Sequence, residues 1–285
     1  VVRCKAVGTI HDIIHLLYPG FLPNRLAFLY AQRMIRRSLT RGDRVIADSQ
    51  NTKKDLMDYF ETDGRKIEVI YPGVADLFRR PMETAAVDRV LARHGLERPY
   101  LLFVGNPKPH KNLDNVVTAF ARVVNADRFE GDLVCVGGRD QNQVRIAHRA
   151  ARLGVEDRIK LLGHVAEEDL PGPYRGARLF LYPTLYEGFG LPVVEAMASG
   201  VPVITSSTSS LKEISSGYAE LVDPLDVEQM AATIIRCLGD EQLLARLRAA
   251  GLERAEHFSW RRTAERTLAV YERTIASDYP PGVAL

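Results

Sequence analysis

The stretch YEGFGLPVVEAMASGVP, residues 186–202, decides the fold of this chain. It follows a strand-like apolar run, ARLFLYP at residues 177–183, and leads into a second one, VPVITS at residues 201–206. Between them, glycines predict a turn. Pro192 suits the start of a helix because its missing N–H is not needed there, and Gly200 predicts the helix end. This order predicts a βαβ unit, and the start of such a helix is suited to bind phosphate.

Two carboxylates bracket the start of this helix. Glu187 lies in the predicted turn, and Glu195 lies inside the helix, with seven residues between them. Glu195 by itself also fits a structural role, because the helix dipole stabilises a carboxylate near a helix N terminus. The presence of Glu187 beside it favours a ligand site.

The composition sets the protein class. The chain has 285 residues, 46% of them hydrophobic, which suits one large or two medium globular domains. Its 38 basic and 36 acidic residues leave a net charge of +2, so no nucleic-acid partner is indicated. Cys4, Cys135 and Cys237 lie far apart in apolar runs, which predicts buried thiols in a reducing, cytoplasmic compartment.

Alternating strand-like and helical segments predict an α/β fold with parallel sheets. Residues 1–75 are interpreted as part of a first Rossmann-like domain and residues 76–98 as a polar, partly helical linker. Residues 99–258 repeat the alternation with about six strands and predict a complete doubly wound, Rossmann-like domain. Residues 259–285 contain a long helix and a tail, and we expect this helix to return to the first domain.

Two predicted helices carry further information. Residues 24–41 place arginines between apolar residues, which fits either a solvated face or a basic amphipathic helix on an anionic membrane surface. In the C-terminal helix, Ala264, Leu268, Tyr271 and Ile275 recur at helical spacing, and we expect this face to be the one that packs.

Four predicted strands of the second domain end in small or polar residues. These are Gly105, Asn106, Lys108, His110 and Lys111; Gly137, Gly138 and Arg139; Gly163 and His164; and the turn with Glu187. The carboxyl ends of parallel strands share one rim, so these groups are predicted to line one crevice. A lysine there can reach a phosphate, although Lys111 alone also fits a surface charge. His11, at the end of the first strand, fits either a core histidine or a site residue.

Several segments together resemble the glycosyltransferases of family 4, the glycosyl transferases group 1, which have the GT-B architecture of two Rossmann-like domains. EGFGLPVVEAMASGVPV resembles the glutamate motif of that family, and FVGNPKPHKNLDNVVTAF resembles its diphosphate loop. FSWRRTAERTLAVYE resembles its crossover helix, while VIADSQNTKKDL and VIYPGV resemble the end of its first domain and the hinge. Because such a first domain has several strands and helices before His11, we expect it to be truncated at its N terminus here.

The resemblance implies a retaining hexosyltransferase that acts in polysaccharide biosynthesis. Its donor would be a nucleotide-sugar such as a GDP- or UDP-hexose, and its acceptor a glycan or a lipid-linked molecule. It implies no cofactor and no metal, which agrees with the lack of an Asp-x-Asp pair at a predicted strand end. The expected location is cytoplasmic and peripheral at the inner membrane face, with contact through helix 24–41.

The resemblance also implies residue roles. Glu195 would hold the ribose hydroxyls, Glu187 would lie beside the sugar, and Lys111 would neutralise the diphosphate leaving group. The turn residues Gly188, Phe189, Gly190 and Leu191 would offer backbone N–H groups to phosphate and sugar oxygens. Gly163 and His164 would border the base, and His11 would reach the sugar from the first domain.

One departure from the family pattern concerns the diphosphate loop. Many members carry an arginine where this chain has Asn106, and we interpret Lys108 or Arg139 as its substitute.

Two other functions fit parts of the pattern. One is a nucleotide-sugar epimerase of the same architecture, and the other is a truncated, non-catalytic nucleotide-sugar-binding protein. The crossover helix and the HKNL loop favour the transferase. A dehydrogenase is not indicated, because the Gly-x-Gly-x-x-Gly fingerprint with its acidic partner does not occur.

Overall fold

The computed structural model describes residues 4–97, 99–138 and 141–276. The chain divides into two compact units. The first unit comprises Val1–Gly73, Glu187–Phe189 and Phe258–Leu285, and the second comprises Val74–Tyr186 and Gly190–His257. In both units the sheets are parallel, as the α/β prediction requires.

The first unit is built on a three-stranded parallel sheet of order β1-β2-β3. Its elements are β1 (Val7–Ile10), α1 (Ile14–Leu17), α2 (Arg25–Arg41), β2 (Arg44–Ala47), α3 (Gln50–Phe60), β3 (Ile67–Val69) and α13 (Trp260–Ala276). Asn24 caps α2 by accepting from the Ala27 N–H at 2.9 Å, and Ser49 caps α3 by accepting from the Thr52 N–H at 2.9 Å. The first cap confirms the predicted start of the helix over residues 24–41.

The C-terminal helix α13 packs through a face other than the predicted one. Val270 is buried in a cluster with Ile46 and Ile70, and Thr274 is fully buried. The predicted face is wrong, because Ala264, Leu268, Tyr271 and Ile275 are all exposed.

Threonine hydroxyls explain this difference. Thr274 donates to the Val270 carbonyl at 2.6 Å, and Thr263 donates to the Tyr71 carbonyl at 2.7 Å. A hydroxyl that is hydrogen-bonded to the backbone can be buried at little cost. A pattern that counts only apolar residues therefore selects the wrong side of this helix.

The second unit is a six-stranded parallel sheet of order β6-β5-β4-β7-β8-β9. Its strands are β4 (Tyr100–Val104), β5 (Asp132–Val136), β6 (Ile159–Gly163), β7 (Leu179–Tyr182), β8 (Val203–Ser206) and β9 (Glu220–Val222). Its helices are α4 (Asp76–Arg79), α5 (Thr84–Arg93), α6 (Leu113–Asn125), α7 (Gln141–Arg152), α8 (Pro171–Gly176), α9 (Leu191–Ala198), α10 (Ser209–Ser215), α11 (Val227–Leu238) and α12 (Glu241–Ala255).

The strand order of this sheet confirms the predicted doubly wound topology. The order reverses between β4 and β7, which are neighbours in the sheet but far apart in sequence. In sheets of this kind, ligands bind outside the carboxyl ends of the strands at such a switch point. The loops after β4 and β7 are therefore the expected ligand-binding loops.

Residues 74–97 belong to the second unit. Within them, α5 buries Val87, Val90 and Leu91 and packs against α8. The predicted linker, residues 76–98, therefore includes a helix that packs into this unit. Its buried apolar side chains recur at helical spacing.

Two of the three cysteines are buried, as predicted. Burial raises the pKa of the Cys135 thiol to about 12 and that of Cys237 to about 11, so both remain protonated. Cys4 is exposed, which makes the burial prediction wrong for this residue, because it precedes β1 and does not enter the sheet.

Throughout the described part of the chain, every helix is too short or too polar to cross a membrane.

Candidate functional site

The loops at the carboxyl ends of β4, β5 and β6 are tied together by hydrogen bonds. The Gly105 N–H donates to the Val136 carbonyl at 2.7 Å, and the Gly137 N–H donates to the Gly163 carbonyl at 2.9 Å. The Asn106 side chain accepts from the Gly138 N–H at 2.7 Å. The predicted rim residues Gly105, Asn106, Gly138 and Gly163 are thus brought together. Arg139 lies outside the described residues.

Asn106 has a defined structural role at this rim. Its amide oxygen joins the loop after β4 to the loop after β5. The departure from the family pattern at this position therefore replaces a cation by a neutral residue that links two loops. Lys108 and His164 are both exposed close to the strand ends.

Lys111 lies in a 3₁₀ turn, Pro109–Lys111, directly before α6. Its Nζ donates to the hydroxyl of Tyr182 at 2.9 Å and lies 5.5 Å from the centre of the same ring. Tyr182 is fully buried at the end of β7, where its ring stacks on Phe180. Lys111 is consequently a half-buried cation anchored at the switch point of the sheet, and not a freely solvated surface charge.

His110 lies beside this cation and is buried. Burial, together with the charges of Lys111 and Lys108, lowers its pKa to about 4. The imidazole is therefore neutral near pH 7 and adds no positive charge to the loop.

Glu195 is half-buried in α9, and its carboxylate is hydrogen-bonded. The hydroxyl of Tyr174 donates to Oε2 of Glu195 at 2.8 Å. Burial raises the pKa of Glu195; the hydrogen bond from Tyr174 opposes this shift, and the charge of Glu167 adds to it. A carboxylate with a perturbed pKa at the end of a sheet is typical of a functional site.

The turn before α9 requires a glycine. Gly190 has φ +107°, and a Cβ at this position would lie 2.4 Å from Cδ2 of Leu211. L-residues rarely adopt this backbone conformation, and the neighbouring side chain leaves no room for a methyl group. Gly190 therefore fixes the direction in which α9 starts, at Leu191 and Pro192.

We expect Gly190→Ala to destabilise the second unit by about 2–4 kcal/mol, because backbone strain and the clash with Leu211 add. Gly95→Ala is the matched control, since Gly95 has φ +62° but open space around the added Cβ. The control is expected to lose only about 1 kcal/mol. Urea unfolding of the two variants measures both values, and equal losses would contradict the role of the Leu211 contact.

In the first unit, His11 forms a pair with Asp48. Nδ1 of His11 lies 2.8 Å from Oδ2 of Asp48, and the histidine side chain is 77% exposed. The alternative of a core histidine is therefore wrong. Burial raises the pKa of Asp48, and the hydrogen bond to His11 counteracts it. This carboxylate fixes one imidazole nitrogen and leaves the exposed edge of the ring accessible.

The turn Glu187–Phe189 belongs to the same unit as His11. The Gly188 carbonyl accepts from the hydroxyls of Ser49 at 2.7 Å and Thr52 at 3.1 Å. A Cβ on Gly188 would lie 2.4 Å from the His11 carbonyl oxygen. The turn that carries Glu187 therefore packs against the backbone of His11.

Aromatic packing holds the end of this turn. The Phe189 ring centre lies 5.9 Å from that of Tyr71 and 5.4 Å from that of Phe258. Tyr71 and Phe258 are themselves 5.8 Å apart and edge-on. Phe189, predicted as a donor of a backbone N–H, therefore also anchors the turn through its side chain.

The predicted site residues form two groups, one in each unit. His11, Glu187, Gly188 and Phe189 belong to the first unit, and the remaining described candidates belong to the second. Sequence reasoning missed Asp48, Tyr174 and Tyr182. Of these, only Tyr182 carries a detectable signal, as the polar residue that ends the strand before the glutamate motif.

Among the described residues, no cluster of three or more His, Cys, Asp or Glu side chains is arranged to hold a metal ion.

Comparison with known families covers both units. The model of the family described as "Glycosyl transferases group 1" matches residues 88–254, and that of "Glycosyltransferase Family 4" matches residues 2–76. The chain is 30% identical to the O-antigen chain mannosyltransferase B of Escherichia coli over 94% of its own length and 70% of that protein. It is 35% identical to the D-inositol 3-phosphate glycosyltransferase of Salinispora arenicola over 84% of its length and 56% of that protein.

Solved structures show the same fold. Sucrose-phosphate synthase from Thermosynechococcus elongatus superposes with a TM-score of 0.80 at 25% identity, covering 95% of this chain and 68% of that one. The structure of HepE from Anabaena in complex with UDP and glucose superposes with a TM-score of 0.81 at 19% identity, covering 94% and 71%. The chain spans little more than half the length of several curated relatives that it matches.

Proposed function

Because the chain belongs to the glycosyl transferases group 1, with a first unit of glycosyltransferase family 4, we propose that it moves a hexosyl group from a nucleotide-sugar to a glycan or lipid-linked acceptor, with retention of configuration. Curated relatives include mannosyltransferases, which supports a hexose as the transferred group. A homologous fold crystallised with UDP and glucose supports a nucleotide-linked donor.

One observation carries this proposal: a cation and a half-buried, hydrogen-bonded carboxylate occupy the carboxyl-end rim of the second sheet. Lys111 is held by Tyr182 at the end of β7, and Glu195 is held by Tyr174 in the helix that follows the same strand. A nucleoside diphosphate needs a positive group for its phosphates and an acceptor for its ribose hydroxyls. These two residues supply both requirements without a metal ion.

These positions support the following roles for the residues of the second unit. Lys111 neutralises the charge that develops on the leaving diphosphate, and the backbone N–H groups at the start of α9 assist it. Glu195 accepts from the ribose hydroxyls. Gly105, Gly138 and Gly163 leave room for the donor to approach the strand ends, and the loop with His164 borders the base.

The groups in the first unit act on the sugar. Glu187 accepts from sugar hydroxyls or stabilises positive charge on the anomeric carbon. His11, oriented by Asp48, donates to or accepts from a sugar oxygen through its exposed edge. Ser49 and Thr52 hold the turn that carries Glu187 by donating to the Gly188 carbonyl, and Thr52 also contacts the His11 carbonyl at 3.3 Å.

A donor screen tests the proposed reaction. UDP-, GDP- and ADP-linked hexoses are incubated with the chain and with candidate lipid-linked or glycan acceptors. Free nucleoside diphosphate and labelled acceptor are then measured. Transfer of label from one donor supports the proposal. Isomerised donor without transfer would identify an epimerase instead, and binding without consumption would identify a non-catalytic binding protein.

The surface of α2 supports a membrane-proximal acceptor. Leu26, Leu29, Tyr30 and Met34 are exposed apolar residues, with Leu26 76% exposed. Arg33, Arg36, Arg37 and Arg41 are exposed on the same helix, whose sequence contains no acidic residue. Exposed apolar and basic side chains on one helix suit adsorption to an anionic bilayer, and we propose peripheral contact with the inner membrane face through this helix.

We expect the chain to bind vesicles of phosphatidylglycerol and not vesicles of phosphatidylcholine. The double variant Arg33→Gln/Arg37→Gln should weaken binding by about tenfold or more, since each basic residue near such a surface contributes about 1 kcal/mol. Arg261→Gln/Arg266→Gln, on the exposed side of α13, removes the same charge and is the control. Equal binding by both double variants in a flotation assay would favour the solvated-face interpretation.

A further inference from the structure

Tyr174 lies behind the carboxylate of Glu195. It is fully buried in the short helix α8, and its hydroxyl lies 2.8 Å from Oε2 of Glu195 and 3.3 Å from the Pro192 carbonyl oxygen. Its ring lies edge-on to Phe78 at 5.6 Å and beside Phe180 at 5.3 Å. The hydroxyl is therefore held in place by the packing of the whole ring.

We propose that Tyr174 is the positioning residue of the donor site, which fixes Glu195 so that its other oxygen selects the ribose of the nucleotide over a deoxyribose. This inference rests on the proposed function, in which Glu195 accepts from the ribose. It adds a residue that does not touch the donor but determines what the site recognises.

The chemistry of the two groups supports this division of roles. An ionised carboxylate only accepts hydrogen bonds, and it has two oxygens. Burial, with the adjacent charge of Glu195, raises the pKa of Tyr174 well above its ordinary value, so the phenol stays protonated and donates. Because this bond occupies Oε2, the other oxygen is held in one orientation as an acceptor. Less rotational freedom is then lost when a ribose hydroxyl binds.

The hydrogen bond from Tyr174 also favours the ionised form of Glu195. Burial raises the pKa of Glu195 and Glu167 adds to the shift, whereas the hydrogen bond from Tyr174 lowers it. On the helices packed against α9, Arg79 of α4 pairs with Glu256, Arg248 of α12 donates to the Gly200 carbonyl, and Arg175 of α8 donates to the Phe78 and Arg80 carbonyls. Without the Tyr174 hydroxyl, burial and the charge of Glu167 still raise the pKa of Glu195, and the hydrogen bond that lowers it is lost.

The test compares nucleoside diphosphates with their dideoxy counterparts in three proteins. Calorimetry gives the Kd of UDP, GDP and ADP and of their 2′,3′-dideoxy counterparts for the wild type, Tyr174→Phe and Tyr100→Phe. Phenylalanine at position 174 keeps the ring contacts. Tyr100→Phe is matched, because Tyr100 is also fully buried and donates to α8, at the Pro173 carbonyl, 2.6 Å away.

For the nucleotide that binds best, we expect the wild type to prefer the ribose form by about 10–100-fold. Tyr174→Phe should reduce this preference by about fivefold or more. When the Kd values are measured across pH, the pH below which the preference is lost should be higher in Tyr174→Phe than in the wild type. Tyr100→Phe should change neither quantity. Equal weakening of both ligands by Tyr174→Phe, or an unchanged preference, would overturn the inference and leave the proposed function intact. No preference in the wild type would overturn the ribose role of Glu195 and the inference with it.

Discussion

Replacement of Lys111 by methionine is expected to lower kcat/KM for sugar transfer by about 10²–10³-fold. The Nζ group is fixed 2.9 Å from the Tyr182 hydroxyl, so its charge is already in place when the diphosphate begins to leave. A preorganised charge that acts where negative charge develops stabilises the transition state more than the bound donor. We therefore expect kcat to fall more than the affinity for the donor.

Lys160→Met provides the control for this variant. Lys160 is an exposed lysine near the amino end of β6, away from the rim, and its Nζ donates to the Asp157 carbonyl at 3.2 Å. It should leave transfer unchanged. A loss of donor affinity in Lys111→Met with an unchanged kcat would show that Lys111 binds the ground state only, and would remove it from the group that stabilises the leaving diphosphate.

Tyr182→Phe separates the anchor from the charge. The phenylalanine keeps the stacking on Phe180 but removes the oxygen that holds Nζ of Lys111. We expect a smaller loss of kcat than in Lys111→Met, since the cation remains but is less well positioned.

The parts of the fold that depend on local pattern could be predicted from the sequence. The alternation of strand-like and helical segments predicted the parallel sheets. The helix over residues 24–41 was predicted to start at Asn24, whose side chain bonds to the adjacent backbone. The rim was predictable for the same reason, since strand ends in a parallel sheet converge without any knowledge of tertiary contacts.

Other features depend on contacts between residues distant in sequence. Ser49 reaches the Gly188 carbonyl across 139 positions, and no local signal assigns the turn Glu187–Phe189 to the first unit. Tyr174 precedes Glu195 by 21 positions and sits in a segment rich in proline and glycine, where a buried tyrosine has no periodic signature. In α13, hydrogen-bonded threonines take the buried face that apolar periodicity assigns to leucine and isoleucine.

The two glutamates of the motif are expected to fail in different ways when each is changed to glutamine. Glu187→Gln should lower kcat by about 10²–10³-fold and leave the Kd of the nucleoside diphosphate within about twofold, because its partner is the sugar. Glu195→Gln should weaken nucleoside diphosphate binding by about tenfold or more, since a hydrogen bond to a charged group is lost and the Tyr174 hydroxyl loses its ionic acceptor.

Glu253→Gln, an exposed change on α12, controls for the loss of one carboxylate. Calorimetry with the free nucleoside diphosphate, run beside transfer assays, separates the two effects because the diphosphate contains the ribose but not the sugar. Equal loss of binding in both variants would contradict the division of roles. The structure gives a physical reason to expect the division: Glu195 lies in α9 of the second unit, hydrogen-bonded to Tyr174, whereas Glu187 lies in a turn of the first unit that is held by Ser49 and Thr52.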